Sequence, residues 1–476
     1  MNRYHFRNAE IIDGNDTPPL RGDVLVEGED IKAILPAGSS RKGDFLIRDC
    51  SSLVLCPGFI DLHGHSDLEV LRHPLMQSKI AQGITTEVAG NCGIGVFPAA
   101  KGSPFLQELC SDVLGLFPSM GWRDFTAYKQ EWSVLGSGTN MVFLQAHSTL
   151  RKASMQGDVN RPATEKEITK MCALLSESLE AGCWGMSTGL YYAPCTFAEE
   201  KELLSLLEVL SRHNALFAVH MRCEGTEILS SLKEVFALAQ RTGVRLQISH
   251  LKVIGRKNQH LVDTVLSLID QERMNGMDVQ FDQYPYTYGS TSLFSLLPPA
   301  YLRLERKALQ KVLADDEQRQ TIKKQMENPT DWDSLASLCG WDQIRILSME
   351  NNRAYEMMSL TEIGQERGSS PWDAFFDLLQ AEQGVALMMD VTQSEESLKK
   401  ILRHSLMCFG TDALYAGPLC HPRSYQATIH LLHTYWKQEA VLPLQSLINR
   451  MSAKPAQRLG LLNRGKIAAG FKADLV

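Results

Sequence analysis

The chain has 476 residues, of which 44% are apolar and 22% charged, with a formal net charge of -7 and a pI near 6.0. This composition gives ample material for one large globular domain and a smaller one, and it excludes the strongly basic footprint of a nucleic-acid-binding protein. No apolar run is long enough to span a bilayer, and the polar start MNRYHFRNAEIIDGN lacks the apolar core of a secretory signal. Eleven cysteines without a CxxC pair or regular spacing read as reduced thiols, so a cytoplasmic location is expected.

The first fifty residues read as short strands with tight turns. Gly22 to Glu27 alternates apolar and polar residues, and Ile31 to Leu35 follows a Glu-Gly-Glu-Asp turn. Residues 1–52 are therefore expected to form part of a small β-domain. From Leu53 the pattern changes to short apolar runs separated by amphipathic helices. Strands are expected at Leu53–Leu62, Ile84–Ala89, Met141–Ala146, Gly182–Ser187, Leu216–His220, Arg245–His250, Met277–Asp282 and Leu406–Asp412, with helices such as Glu165–Ala181, Glu199–His213 and Thr226–Thr242 between them. Eight alternating units of this kind predict an α/β fold, a (β/α)8 TIM-type barrel over residues 53–455, with its active site at the C-terminal ends of the strands.

Roughly 120 residues separate Asp282 from the strand beginning at Leu406, far more than one barrel helix needs. They contain helical stretches (Glu305–Met326, Pro371–Gln383) and strand-like ones (Ile344–Met349, Val385–Met389). The preferred reading is an insertion at about 286–404 over the barrel mouth, a lid or substrate domain; the alternative is that barrel strands hide within it. The tail, residues 456–476, reads as the start of the C-terminal part of the small β-domain and ends on an incipient strand, as if truncated.

The chemistry concentrates at strand ends. His63 and His65 close the first barrel strand, and on extended chain residues two apart face the same way, so both imidazoles can grip one metal ion. An HxH pair alone is weak evidence. His220 ends the run LFAVH, His250 ends LQISH and Asp412 ends LMCFGTD, and together these four histidines and one aspartate point to a metal site. Cys92 follows the second strand in TTEVAGNCGIG, where the flanking glycines allow close backbone approach. A thiolate and two imidazoles make a good zinc site with one position left for water. His147, at the end of MVFLQAH, is expected to support the site without ligating. Arg222 either orients a neighbour or pairs with Glu224. Tyr191 and Tyr192 wall the pocket or serve the core.

The segments PGFIDLHGHSD, GITTEVAGNCGIG, MSTGLYYAP, HMRCEG, ISHLK, DQYPYTYGST, GTDALYAGPLCHPRSYQA and MSAKPAQRLGLLNRGKIAAGFKADLV run through nearly the whole chain. Together they resemble the amidohydrolase superfamily and, within it, the N-acyl-D-amino-acid deacylase (D-aminoacylase) family. The superfamily often bridges two metals with a modified lysine; this branch uses a cysteine, which Cys92 matches. The resemblance implies a tight zinc site at Cys92, His220 and His250. It implies a second, weaker site at His63, His65 and Asp412, Asp412 as general base and acid, and a substrate carboxylate held by Lys252, Tyr284 and Arg423. The planar fork of an arginine and the charge of a lysine suit that last task. The implied reaction is hydrolysis of the amide of a small N-acyl-D-amino acid; D-selectivity rests on the resemblance alone. Side-chain preference is expected in Ser290–Pro299 and the insertion. The competing expectations are a hydrolase of a cyclic amide, such as a hydantoin or dihydroorotate, and a non-catalytic barrel scaffold. Relatives usually continue some tens of residues beyond ADLV, which leaves closure of the small β-domain open. Oligomeric state is not legible.

Overall fold

Two alternating strands and a tight turn start the chain. In the computed structural model, which describes residues 2–39, 43–103, 106, 113–115, 117, 121–155, 157–302, 304–330, 332–382 and 384–476, β1 (Arg3–Ile11) pairs antiparallel with β2 (Leu20–Glu27). β2 turns at Gly28, where φ is +65°, into β3 (Asp30–Pro36). A glycine takes that left-handed conformation at no steric cost. β4 (Leu46–Asp49) and β5 (Val54–Leu55) then pair in parallel with β1. The end of the chain returns to this sheet. The Ile31 N–H donates to the Phe471 carbonyl (2.8 Å), and Cys56 and Val476 exchange both backbone hydrogen bonds (2.8 and 2.9 Å). Ile11, Val24, Val26 and Ile31 bury against Ile467, with Phe471 and Leu475 packed on them. N- and C-terminal segments thus build one small β-body.

The expected strand Leu53–Leu62 divides in two. β5 belongs to the small sheet, and β6 (Phe59–Asp61) opens the barrel. The break falls at Pro57, which has no N–H to give a ladder, and Gly58, whose N–H goes to Asp474 of the tail (2.7 Å). Parallel strands β7 (Ile84–Ala89), β8 (Asn140–Ala146), β9 (Gly185–Gly189), β10 (Leu216–His220), β11 (Arg245–Ile248) and β12 (Val279–Gln283) follow in spatial order. β13 (Tyr288–Ser292), β14 (Ile344–Met349) and β15 (Ala386–Val391) leave the barrel, and β16 (Met407–Phe409) returns beside β12. The ring closes where the Leu62 N–H donates to Phe409 (3.1 Å) and the Asp412 N–H to His63 (2.6 Å). The fold is therefore a (β/α)8 barrel, with the small β-body on one side and an insertion before the last strand. No helix among the described residues is long and apolar enough to cross a membrane.

Most element ends move by one to three residues from the sequence expectation. β9 begins at Gly185 because Gly182 (φ +111°) still belongs to the turn that ends the preceding helix. That helix, Glu165–Glu180, starts at a reciprocal capping box between Thr164 and Glu167. Inside the insertion, Glu305–Met326 is two helices, Arg306–Leu313 and Asp316–Glu327. Asp315 breaks the run by accepting from the N–H groups of Glu317 and Gln318 as a new N-cap. The other helix, Pro371–Ala381, opens on Ser370 with Pro371 in its first turn, and the expected last residue, Gln383, lies outside the described residues. The insertion's sheet, order β13-β15-β14, is antiparallel and has its own core of Phe375, Leu379, Ile344, Ile346 and Met388. β13 was not legible as a strand: YGSTS has one large side chain and no apolar alternation.

Candidate active site

Each chemistry-bearing residue sits at the C-terminal end of a barrel strand. His63 and His65 follow β6, Cys92 follows β7, His220 ends β10, His250 follows β11, Tyr284 follows β12 and Asp412 follows β16. Arg423 is the first residue of the helix Arg423–His430 that comes after that last loop. The turns are tight enough that Cys92 (φ +53°), His250 (φ +35°) and Asp412 (φ +53°) all adopt left-handed backbone, a conformation that costs side-chain-bearing residues energy and concentrates at functional sites.

Six buried side chains converge. Cys92 Sγ lies 3.4 Å from His250 Nε2 and 3.8 Å from His220 Nδ1, and these two nitrogens are 2.9 Å apart. On the other side Cys92 Sγ is 3.3 Å from His63 Nε2. Asp412 Oδ1 is 3.5 Å from His63 Nε2 and 3.1 Å from His65 Nε2. The thiol therefore stands between two triads. Ligand atoms around a tetrahedral zinc lie about 3.3–3.6 Å apart, as bond lengths of about 2.3 Å to sulfur and 2.0–2.1 Å to nitrogen require. The first triad meets that spacing to within about half an ångström. Among the described residues, His63, Cys92 and His250, then His63, His65 and Asp412, and also His220 and His250 with Glu224, bring their donor atoms close enough to hold a metal ion.

The outer nitrogens are fixed by carboxylates that sequence reasoning did not single out. Asp282 Oδ1 holds His63 Nδ1 (2.9 Å) and also accepts the His250 backbone N–H (2.8 Å). Glu224 faces His250 Nδ1 (3.2 Å) and His220 Nε2 (3.6 Å). Carboxylates in this position set the tautomer and aim the inner nitrogen. Asp282 was visible as a strand-end acid; Glu224 stood inside the HMRCEG segment, with Arg222 as the partner considered for it. The structure corrects that pairing: Arg222 binds Glu234 (2.9 Å) and the Thr196 carbonyl (2.8 Å). His147 is corrected too. It begins a helix and is buried between Thr188 (2.9 Å) and Glu202 (2.7 Å), touching none of the six converging side chains.

Charge follows the geometry. Burial pushes the Cys92 thiol up, but the imidazoles of His63 and His250 outweigh it and hold the pKa well below the ordinary value, favouring thiolate. Burial likewise opposes the Asp412 carboxylate, and Arg423 and His63 overcome it. Glu224 is drawn down to about 2, against its burial, by Lys252 and the two histidines.

The three expected carboxylate-binding residues line the same cavity, together with Tyr191 and Tyr192. Lys252 Nζ pairs with Glu224 (2.7 Å). Arg423, only 1% exposed, stacks 4.8 Å over the Tyr284 ring and places Nη1 2.8 Å from Asp412 Oδ2. Its Nη2 donates to the Ser290 carbonyl (3.1 Å), while Nε has no acceptor among the described residues. A buried guanidinium with unfilled donors is a receptor for an anion.

The amidohydrolase family profile matches residues 47–284. The D-aminoacylase of Alcaligenes xylosoxydans xylosoxydans is 32% identical over 466 residues, 98% of this chain and 86% of the relative. The N-acyl-D-aspartate deacylase of the same organism is 30% identical, covering 99% and 85%. The crystal structure of an N-acyl-D-glutamate deacylase from Bordetella bronchiseptica, complexed with zinc and a phosphonate mimic of the tetrahedral intermediate, superposes with a TM-score of 0.82 at 28% identity, covering 99% of this chain and 89% of that one. With the barrel, the cysteine-centred cluster and full-length similarity in agreement, the chain belongs to the amidohydrolase family, in its D-aminoacylase branch.

Proposed function

We propose that the protein hydrolyses the amide bond of N-acyl-D-amino acids in a zinc-dependent reaction, giving a carboxylic acid and a free D-amino acid. The observation that carries this reading is the convergence of Cys92, His220 and His250, with donor atoms 2.9–3.8 Å apart, beside Asp412 and an anion-receptive Arg423. The names of the relatives supply the D-amino-acid class.

Cys92, His220 and His250 would hold the tight ion, and His63, His65 and Asp412 would line a second, weaker site. Bound zinc supplies a water of lowered pKa and a Lewis acid for the amide carbonyl. Asp412 does the proton work. Its carboxylate is held ionised, so it takes the proton of the attacking water and hands it to the departing nitrogen, which leaves as an amine. Arg423, Tyr284 and Lys252 fix the substrate carboxylate and so align the scissile carbonyl. Lys252 works with its charge already shared with Glu224, which leaves Arg423 the stronger anchor.

The test is a screen of N-acetyl-D- and N-acetyl-L-amino acids, with hydantoins as cyclic controls, alongside metal analysis of variants. D-substrates are expected to turn over. Asp412→Ala should keep the tight zinc and lose roughly 10²–10⁴-fold in kcat, as removal of a proton shuttle does. Cys92→Ala and His220→Ala should lose zinc and activity together. Normal turnover by Asp412→Ala contradicts the proton role, and hydantoin cleavage without N-acyl-D-amino-acid cleavage contradicts the substrate class.

A further inference from the structure

The cavity wall carries an acid that the proposed reaction does not use. Asp390, on β15, is 3% exposed and lines the same cavity as Lys252, Tyr284 and Arg423. In the insertion's sheet it stands opposite Gly289 of β13. A Cβ on Gly289 would sit 3.4 Å from Asp390 Oδ1 and 3.2 Å from the Tyr284 hydroxyl. Gly289 therefore brings the acid and the Tyr284 hydroxyl together on one stretch of the cavity wall, with scarcely room for a methyl group between them. Among the described residues the hydrogen-bond donor to the Asp390 carboxylate is the Cys339 thiol, 3.8 Å from Oδ2, a weak donor. Among the described residues no lysine, arginine or histidine nitrogen is within ion-pairing distance of it.

The neighbouring cations face other acids. Lys252 faces Glu224 at 2.7 Å and Arg423 faces Asp412 at 2.8 Å. The third acid in this wall, Asp333, is consumed by the backbone N–H groups of Glu224 (2.6 Å) and Gly225 (2.7 Å). Asp390 alone has capacity to spare. Burial pushes its pKa up to about 6 against the pull of Lys252 and Arg423. A buried carboxylate without a cation is costly unless something pairs with it.

An amino acid carries its carboxylate and its side chain on the same carbon. An acid that lines the cavity beside the carboxylate-binding residues is therefore placed to meet the side chain. We propose that Asp390 determines specificity: it receives the positively charged, hydrogen-bond-donating side chain of an N-acyl-D-amino acid of the lysine or arginine class and turns away acidic ones. This rests on the reading of the site as an N-acyl-D-amino-acid hydrolase. It separates the protein from relatives named for aspartate and glutamate, because among the described residues the lysine and arginine lining the cavity, Lys252 and Arg423, are both assigned to the substrate's α-carboxylate and leave no further cation for an acidic side chain.

The experiment measures kcat/KM for Nα-acetyl-D-lysine and N-acetyl-D-glutamate with the wild type and Asp390→Asn, and calorimetric binding of free D-lysine and D-glutamate to both proteins. The wild type should favour lysine by about a hundredfold or more, and Asp390→Asn should cut that ratio by at least about tenfold, mainly through KM, as loss of a charged hydrogen bond does. A wild type that prefers glutamate overturns the proposal even if the variant fails to fold. So does a ratio unchanged within about threefold in the variant, the scatter of a substitution that leaves a recognition contact intact. Absence of turnover on every N-acyl-D-amino acid, with selective binding of D-lysine that Asp390→Asn abolishes, would sink the hydrolase reading and leave the assignment of Asp390 standing.

Discussion

Arg423 shows what a single side chain contributes beyond its charge. It is fully buried, stacked on Tyr284, paired with Asp412 and left with an unfilled Nε. A lysine keeps the charge but loses the planar fork and the stacking. Arg423→Lys should therefore raise KM for N-acyl-D-amino acids and lower kcat/KM by about ten- to a hundredfold, the range of a lost charge-assisted contact, while zinc content stays at the wild-type level. Steady-state kinetics with parallel metal analysis checks it. A KM unchanged from wild type would remove Arg423 from substrate binding. At this scale the sequence was informative where residue type and strand end coincide. His63, His65, His220, His250 and Asp412 each close an apolar run, and Cys92 sits between glycines. It was silent where a partner arrives from a distant element. Nothing local says that Asp282 serves two histidines, that Arg222 turns to Glu234, or that Asp390 reaches the cavity from the insertion.

Among elements, the first barrel strand depends on a buried ionic knot beneath the site. Asp61, at the end of β6, accepts the backbone N–H groups of His63 (3.1 Å) and Thr411 (2.7 Å), which ties the loops carrying His63 and Asp412 together. Lys79, fully buried, neutralises it at 2.7 Å and reaches Glu87 of β7 at 3.1 Å. Gly64 completes the arrangement, because a Cβ there would lie 2.0 Å from Glu87 Oε1. Lys79→Met removes the cation that pairs with Asp61 and leaves that buried carboxylate without its partner, a change that costs about 3–5 kcal/mol for a buried pair broken on one side. Urea denaturation should show that loss. An effect below about 1 kcal/mol, the worth of an exposed pair, would mean that the knot is not under load. Strand identity around the barrel was legible where a strand is an apolar run between helices with 3.6-residue periodicity, as in LFAVH of β10, and less so in GMSTG of β9. Strand ends were less so, since Pro57, Gly182 and Asp315 act through turns and caps whose reach depends on what they meet.

Across the whole molecule, the described residues form four apolar cores: between the barrel and its helices, inside the barrel around Leu62 and Val88, in the small β-body, and in the insertion around Phe375 and Met388. The barrel supplies the converging side chains and the insertion supplies the wall opposite them, through Gly289, Asp333 and Asp390. The insertion's presence was readable from its length alone, but β13 and the side of the cavity it forms were not, because tertiary pairing with β15 makes it a strand. The proposed hydrolysis turns on a zinc ion held through sulfur. X-ray absorption at the zinc edge of the purified protein tests this most directly. A shell with one sulfur at about 2.3 Å and nitrogen or oxygen at about 2.0–2.1 Å is expected, with the sulfur gone in Cys92→Ser. A zinc shell of nitrogen and oxygen alone, or wild-type protein that binds no zinc, would contradict the account.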